Sequence, residues 1–219
     1  MPASRSASSA GSRSPVGLSR ELIVDAAIAL IERDGPGALT MRRLGAELGV
    51  EAMSLYNHVA NRDALVTAVG DRILQPLGEL DLDAPWRTCG RRFAQALRDV
   101  ALRRPATFLL VGLQPLDTPA SLHGVERLLA AFVAQGLSPI EALAAYRALV
   151  SYARGYALAE TTGFTVDAAR PEGRERLRAL PAQRFPILHR HADDLAALGA
   201  DDAFERGLQA LLAGLPDPS

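Results

Sequence analysis

Few residues of this chain could carry out chemistry on their own. It has one cysteine, Cys89, and four histidines, His58, His123, His189 and His191. His189 and His191 are separated by a single residue, so on a helix their rings point in different directions, and they read as a solvent-exposed pair rather than metal ligands. His123 and Glu126 sit at i, i+3 and read as a surface pair. Cys89 has no partner for an internal disulfide and reads as a packed helix residue rather than a redox sensor. No nucleophile–base–orienter set, glycine-rich phosphate loop or Cys/His cluster is visible. No cofactor or metal is therefore expected, and catalysis is not the leading reading. The residues with the clearest chemical pattern run instead from Thr40 to His58, and that pattern suits recognition.

Within that window Leu44, Leu48, Val50 and Leu55 take inward positions of two short helices, and Gly49 supplies the left-handed backbone of a tight turn between them. The second helix, about Glu51 to His58, leaves Ala52, Met53, Ser54, Asn57 and His58 facing outward with Glu51 as its only charge. A solvated helix would show more charged groups. A small, polar face of this kind suits close approach to base edges in a major groove. The competing reading is an ordinary helical hairpin inside an all-helical core.

The elements that would position this face are legible by period. Leu22, Ile23, Ala26, Ala27, Leu30 and Ile31 recur at helical spacing, which predicts an amphipathic helix over 19–33 with Ser19 as N-cap. Asp34-Gly35-Pro36-Gly37 ends it. Thr40 caps the next helix, and Asn61 caps a further one carrying Leu65, Val69, Ile73 and Leu74 to about Leu77. Arg42 and Arg43 open the first helix of the motif and Arg62 opens the helix after it, so cations flank the outward face where phosphates would pass. The chain carries 24 basic residues, all arginine, against 25 acids, for a net charge of −1. That balance argues against indiscriminate binding to nucleic acid and places the affinity in a few well-aimed contacts.

Leu55-Tyr56-Asn57-His58-Val59 followed by Asn61-Arg62-Asp63-Ala64-Leu65, in the context of Leu39 to Leu74, strongly resembles the N-terminal domain of the tetracycline-repressor (TetR) family of bacterial transcription regulators. The resemblance covers residues 18 to 77 closely. A looser one, through Trp86, Gly112-Leu113-Gln114-Pro115 and Gln135-Gly136-Leu137-Ser138, extends to the tetracycline repressor's type of C-terminal domain. It implies a helix-turn-helix that reads double-stranded operator DNA, with Thr40, Met41, Arg42, Arg43, Ala52, Met53, Ser54, Tyr56, Asn57, His58 and Arg62 at the DNA. It also implies a homodimer and a small-molecule pocket. For that pocket it points to Phe93, Leu97, Leu110, Leu113, Gln114, Tyr146, Val150 and Arg154, an apolar lining with a few orienting groups that suits a mostly hydrophobic effector. In the family's tetracycline-binding members a histidine coordinates the drug-bound magnesium. Here that position falls on Leu110, and the connecting-helix histidine falls near Gly78. Both departures argue against magnesium–tetracycline as the ligand and leave the effector unidentified.

The rest of the chain is read as helical too. Apolar residues make up 48% and aromatics only 5%, so the core is built mainly from Ala, Leu and Val, and no long alternating Val/Ile/Thr segment signals a strand. Helices are expected from Trp86 to the stop at Arg103-Arg104-Pro105, at 119–135, at Pro139–Thr162 behind an N-cap Ser138, at Phe185–Leu198 and at Asp201–Leu215, with a further apolar stretch over Phe108–Leu113 that ends at Gln114-Pro115. Residues 165–182, rich in Arg, Glu and Pro, read as a loop. The long helix with Ile140, Leu143, Ala144, Ala148, Ser151, Gly155 and Leu158, and the last helix with Phe204, Leu208, Leu211, Leu212 and Leu215, look too apolar for one core. A two-fold four-helix bundle between subunits explains them, with packing inside one monomer as the alternative.

The expected architecture is thus all-α. Residues 1–17 form a disordered tail, which could instead be a basic arm reaching the minor groove. Residues 18–77 form the DNA-binding head with its connecting helix, and 86–216 a larger ligand-binding and dimerisation domain. No segment has the roughly 18 consecutive apolar residues of a membrane span, and Met1–Gly17 lacks the apolar stretch of a secretory signal. A cytoplasmic repressor released by a small effector is the expected function. A DNA-bound regulator without an inducer, an activator, and more remotely a helical enzyme or interaction module are the alternatives.

Overall fold

A computed structural model describes residues 17–112, 114, 117–163, 171–197 and 199–215. Among them every regular element is helical. Helix α1 (Arg20–Asp34), a single 3-10 turn (Pro36–Ala38), α2 (Met41–Leu48) and α3 (Ala52–Leu55) gather at one end of the molecule, with α4 (Arg62–Gly78) leading away from them. The remaining helices are α5 (Trp86–Arg103), α6 (Pro105–Val111), α7 (Pro119–Ala134), α8 (Pro139–Thr162), α9 (Pro171–Arg178), α10 (Pro186–Arg190), α11 (Ala192–Ala197) and α12 (Ala200–Ala213).

Side-chain caps start most of the elements that carry recognition. Ser19 accepts the Leu22 N–H at 3.2 Å, Thr40 that of Arg43 at 3.2 Å, and Asn61 that of Ala64 at 2.8 Å. Each satisfies an N–H that the first helical turn leaves unpaired. Ser138 does the same for α8 and is joined by Glu141, whose carboxylate accepts the Ser138 N–H at 2.8 Å, which completes a capping box. Gly49 ends α2 in the left-handed conformation at φ 68°. Gly45 sits where a Cβ would lie 2.8 Å from the Val50 carbonyl oxygen, so the α2–α3 elbow closes only over glycine.

One continuous core runs from Ile23, Leu30, Leu44 and Leu55 through Leu65 and Val69 to Phe93, Leu97, Phe108, Phe132, Leu149 and Phe204. Helices α5 and α8 form its densest pairing, and Ala94, Ala101, Ala145 and Ala153, all buried, let backbones approach closely there. Trp86 packs edge-on against Phe132 at 5.5 Å. Cys89 is fully buried, its thiol within 3.2 Å of the Leu82 and Ala84 carbonyl oxygens, and burial pushes its pKa up, which suits a packed residue.

Four expectations need correction. The stretch 165–182 is not wholly a loop, since 171–178 is helix α9. Glu172 in its first turn and Arg176 and Arg178 in its last complement the helix dipole, and Leu177 is buried against Ala192 in a small satellite core. The helix expected over Phe185–Leu198 is two short helices, broken at His191 where Ala192 turns in against that cluster. The second helix of the window is regular only over Ala52–Leu55. Tyr56, Asn57 and His58 continue it as tighter i→i+3 turns, bonded to Met53, Ser54 and Leu55. Finally, Phe204, Leu208 and Leu212 of α12 are buried inside their own subunit. Its outward face is instead Arg206, Gln209, Ala210 and Ala213. On α8 Ile140 is 82% and Leu143 46% exposed with Ala144, Ser151 and Gly155 beside them, whereas Ala148 is partly covered and Leu158 packs against the core. The expected tail, Met1–Gly17, lies outside the described residues except for Gly17.

Candidate nucleic-acid face and effector cavity

The α2–α3 pair presents the residues singled out above on one surface. Met53 is 71% exposed, Tyr56, Asn57 and His58 are exposed, and Ala52 and Ser54 are partly so. Leu55 and Val59 are buried on the opposite side and fix the orientation of that face. Thr40 is exposed, but Met41 is buried in the core, which gives its side chain to packing rather than to the outer surface.

The arginines divide by partner. Arg43 pairs with Asp34 at 2.7 Å, and Arg33 reaches both Asp34 at 3.0 Å and Glu47 at 2.8 Å. This network ties α1 to α2, and the Arg33 guanidinium holds the carboxyl groups of Asp34 and Glu47 below their ordinary range. Arg62 donates its Nε–H to the Leu39 carbonyl at 3.1 Å, which fastens the start of α4 to the segment that leads into α2. Arg42 is exposed and makes no hydrogen bond or ion pair among the described residues. Arg42 is therefore the cation of the set left open to an external anion, while Arg43 must share its charge with Asp34.

Behind this end, a cavity of about 640 Å³ lies between α4, α5, α7 and α8. The C-terminal part of α4 forms one wall, with Asp71, Leu74, Gln75, Leu77, Gly78 and Glu79. Helix α5 contributes Phe93 and Leu97, and α8 contributes Tyr146, Val150 and Arg154. Five of the eight residues expected to line a pocket are thus brought together. Leu110 is instead partly buried against the core and does not line the cavity. Gln114 is exposed and borders a neighbouring hollow of about 70 Å³ that shares Asp71, Leu74 and Ser121 with the large one. Leu113 lies outside the described residues.

The wall that sequence reasoning missed is the first half of α7, with Ser121, His123, Gly124 and Val125. His123, read above as half of a surface pair, is exposed and lines the cavity. The available signal was Gly124, an unfavourable residue inside a helix. A Cβ there would lie 3.2 Å from the Gly78 Cα, so the residue marks where α7 crosses the end of α4. Arg127, one turn on, donates to the Gly78 and Leu80 carbonyls that close α4. At the other end of the contact, the Thr118 hydroxyl donates to Asp71 at 2.6 Å.

Chemically the cavity combines mostly apolar walls with seven polar side chains among its seventeen lining residues, and Phe93 and Tyr146 stand 5.8 Å apart between ring centroids. Burial pushes the Tyr146 phenol above its ordinary range, so it stays protonated and able to donate. His189 lies within 3.0 Å of the Leu180 carbonyl and His191 pairs with Asp194 at 2.7 Å, separate local contacts rather than a shared site. Among the described residues no cluster of three or more His, Cys, Asp or Glu side chains could hold a metal ion, and no helix is long and apolar enough to cross a membrane.

Comparison with known proteins fits this geometry. Residues 80–217 match the family described as "Tetracyclin repressor-like, C-terminal domain", and residues 23–69 match "Bacterial regulatory proteins, tetR family". An HTH-type transcriptional regulator of Saccharopolyspora erythraea is 35% identical, covering 90% of this chain and 84% of that protein. The tetracycline repressor protein class D of Escherichia coli is 31% identical, covering 90% and 88%. Among solved structures, the Streptomyces coelicolor TetR family protein ActR in complex with (S)-DNPA aligns with a TM-score of 0.74 at 30% identity, covering 92% of this chain and 98% of that one. The helical architecture, the matched segments at both ends and these relatives converge: the chain belongs to the tetracycline-repressor family of bacterial transcription regulators.

Proposed function

We propose that this protein is a ligand-responsive transcriptional repressor that holds a palindromic operator as a homodimer and lets go when a small, mostly apolar effector fills the cavity. One observation carries the reading. The helix whose last two turns wall the cavity, α4, is the same helix whose first residue, Arg62, is fastened to the segment leading into α2. A ligand that binds better to one position of α4 must therefore shift the recognition face with it. That ActR, a structural relative, is solved in complex with (S)-DNPA supports a small-molecule role for a protein of this fold.

In this reading residues 18–77 form the DNA-reading part and 86–216 the effector and dimer part. Ser54, Asn57 and His58 meet base edges, while Thr40, Arg42, Tyr56 and Arg62 meet the backbone. Arg43 and Ala52 border the contact, and Met53 offers an apolar surface to thymine methyl groups. The outward stripe of α8, with Ile140, Leu143, Ala144, Ala148, Ser151 and Gly155, packs with α12 against the partner subunit, which sets two heads at half-site spacing. Action on genomic DNA places the protein in the cytoplasm.

Gel shift on DNA selected from a random pool by the purified protein tests the assignment. Tyr56→Phe should weaken binding while sedimentation still shows a dimer. A Tyr56→Ala, Asn57→Ala double variant that binds the selected DNA as well as the parent would show that the face is misplaced. Screening metabolites and antibiotics by thermal shift, followed by gel shift with each hit, tests the effector half. A stabilising compound that leaves the DNA complex intact contradicts release by ligand.

A further inference from the structure

The polar groups of the cavity differ in what they already hold. Asp71 accepts the Thr118 hydroxyl, and Glu79 accepts the Gln75 side-chain amide at 2.7 Å. Arg154 holds nothing. It lies one turn beyond Val150 and two beyond Tyr146 on the face of α8 that lines the cavity. Its Nε–H is buried without a hydrogen-bond partner, and no carboxylate among the described residues pairs with its guanidinium. A guanidinium keeps its charge at any physiological pH and offers five N–H donors in a planar fork. One of those donors, the Nε–H, is dry and unpaired, which is costly to keep, while the cavity's two carboxylates, Asp71 and Glu79, are each engaged by another partner.

We propose that Arg154 anchors an anionic group of the effector, a carboxylate, sulfonate or ionised phenol carried on an apolar, ring-sized skeleton. The proposal rests on the reading of this cavity as the effector site and narrows the chemical class that fits it. A volume of about 640 Å³ is large enough for several fused rings. The protonated phenol of Tyr146, on the same face of α8, supplies a second donor. An uncharged hydrocarbon would fill the same space and leave the guanidinium unpaired, so the site discriminates by charge as well as by shape.

Two fluorescent probes with one ring skeleton test this with the full-length protein: anilinonaphthalene sulfonate, which carries the anion, and N-phenylnaphthylamine, which lacks it. The parent protein should bind the sulfonate more tightly. Arg154→Leu should weaken the sulfonate by about 10- to 100-fold, the range for a lost charge-assisted hydrogen bond, with little change for the neutral probe. Arg154→Lys should recover part of the preference. Leu97→Trp, which fills the cavity, should weaken both probes. Unchanged sulfonate binding in Arg154→Leu, with both probes lost in Leu97→Trp, overturns the anion assignment and leaves the effector cavity standing. If Leu97→Trp moves neither probe, the cavity reading fails and the anion assignment falls with it. Equal loss of both probes in Arg154→Leu without recovery in Arg154→Lys also overturns the proposal.

Discussion

The carboxylate of Glu32, on α1, accepts the backbone N–H of Thr107 at 2.8 Å. Thr107 lies in the first turn of α6, whose own N-cap residue, Arg104, makes no side-chain cap bond. Glu32 thus supplies from another helix the acceptor that a local cap would normally give, at the positive end of the α6 dipole. The contact joins the recognition end of the molecule to the helices behind it.

Removal of this bridge should be felt in stability and in coupling. Glu32→Ala is expected to cost about 1.5–3 kcal/mol in denaturant unfolding, the range for a hydrogen bond to a charged group. Glu32→Gln should retain most of it, because the amide oxygen can still accept. The Thr107 hydroxyl, by contrast, is buried with no partner. Thr107→Val, which keeps the backbone N–H and removes the orphan hydroxyl, should fall within about 1 kcal/mol of the parent or be more stable. A large loss in Thr107→Val would mean that the hydroxyl has a partner, such as an ordered water.

The two adjacent arginines of α2 should behave differently toward DNA. Arg42 is open and Arg43 is paired with Asp34. Arg42→Ala should weaken binding similarly across sequences and reduce the salt dependence by about one phosphate contact per subunit. Arg43→Ala should have the smaller effect on the slope. Salt titrations of the two variants by fluorescence anisotropy compare them directly, and a larger slope change for Arg43→Ala would reverse the assignment.

Acid should loosen the recognition end. Asp34 and Glu47 have folded-state pKa values held below their ordinary range by Arg33. A depressed carboxylate stabilises the fold fully above its unfolded pKa, and that contribution is lost as pH falls through the folded value. Both groups are exposed, so the effect is modest. Chemical-shift titration should find both carboxyls ionising below their unfolded-peptide values, and Arg33→Gln should raise both, Glu47 more than Asp34, which keeps its pair with Arg43. Unchanged titration in Arg33→Gln would remove the network from any role in tying α1 to α2.

What was legible in the sequence was local. Ser19, Thr40, Asn61 and Ser138 were readable as caps because each needs only a backbone N–H two or three residues on. The outward face Met53–His58 was readable because Leu55 sets the phase of one short helix. Pairings distant in sequence were not legible. Nothing local announces that Arg33 will meet Glu47 or that Gly78 will lie under Gly124, so the α7 wall of the cavity, with His123, went unseen. Leu110 packs against the core rather than on the cavity wall, because position along one helix says little about which side meets a chamber. Helix α9 was hidden by its Arg, Glu and Pro content, and its order depends on Leu177 finding Ala192.

The most buried charge makes the sharpest stability prediction. The Arg98 guanidinium makes two bonds to Glu160, at 2.8 and 2.7 Å, pairs with Asp201 at 2.7 Å, and stacks 4.9 Å from the Phe204 ring. It binds α5, α8 and α12 together where the proposed dimer face begins. Its Asp201 partner is exposed, so that arm contributes little, whereas Glu160 is largely covered. Arg98→Met keeps the packing volume but strands the Glu160 carboxylate, and should cost about 3 kcal/mol in urea unfolding. Adding Glu160→Leu removes the stranded charge and should restore most of the loss. Asp201→Asn alone should change stability by less than about 1 kcal/mol. If the double variant is no more stable than Arg98→Met, the loss comes from guanidinium–aromatic packing against Phe204 and not from the uncovered carboxylate.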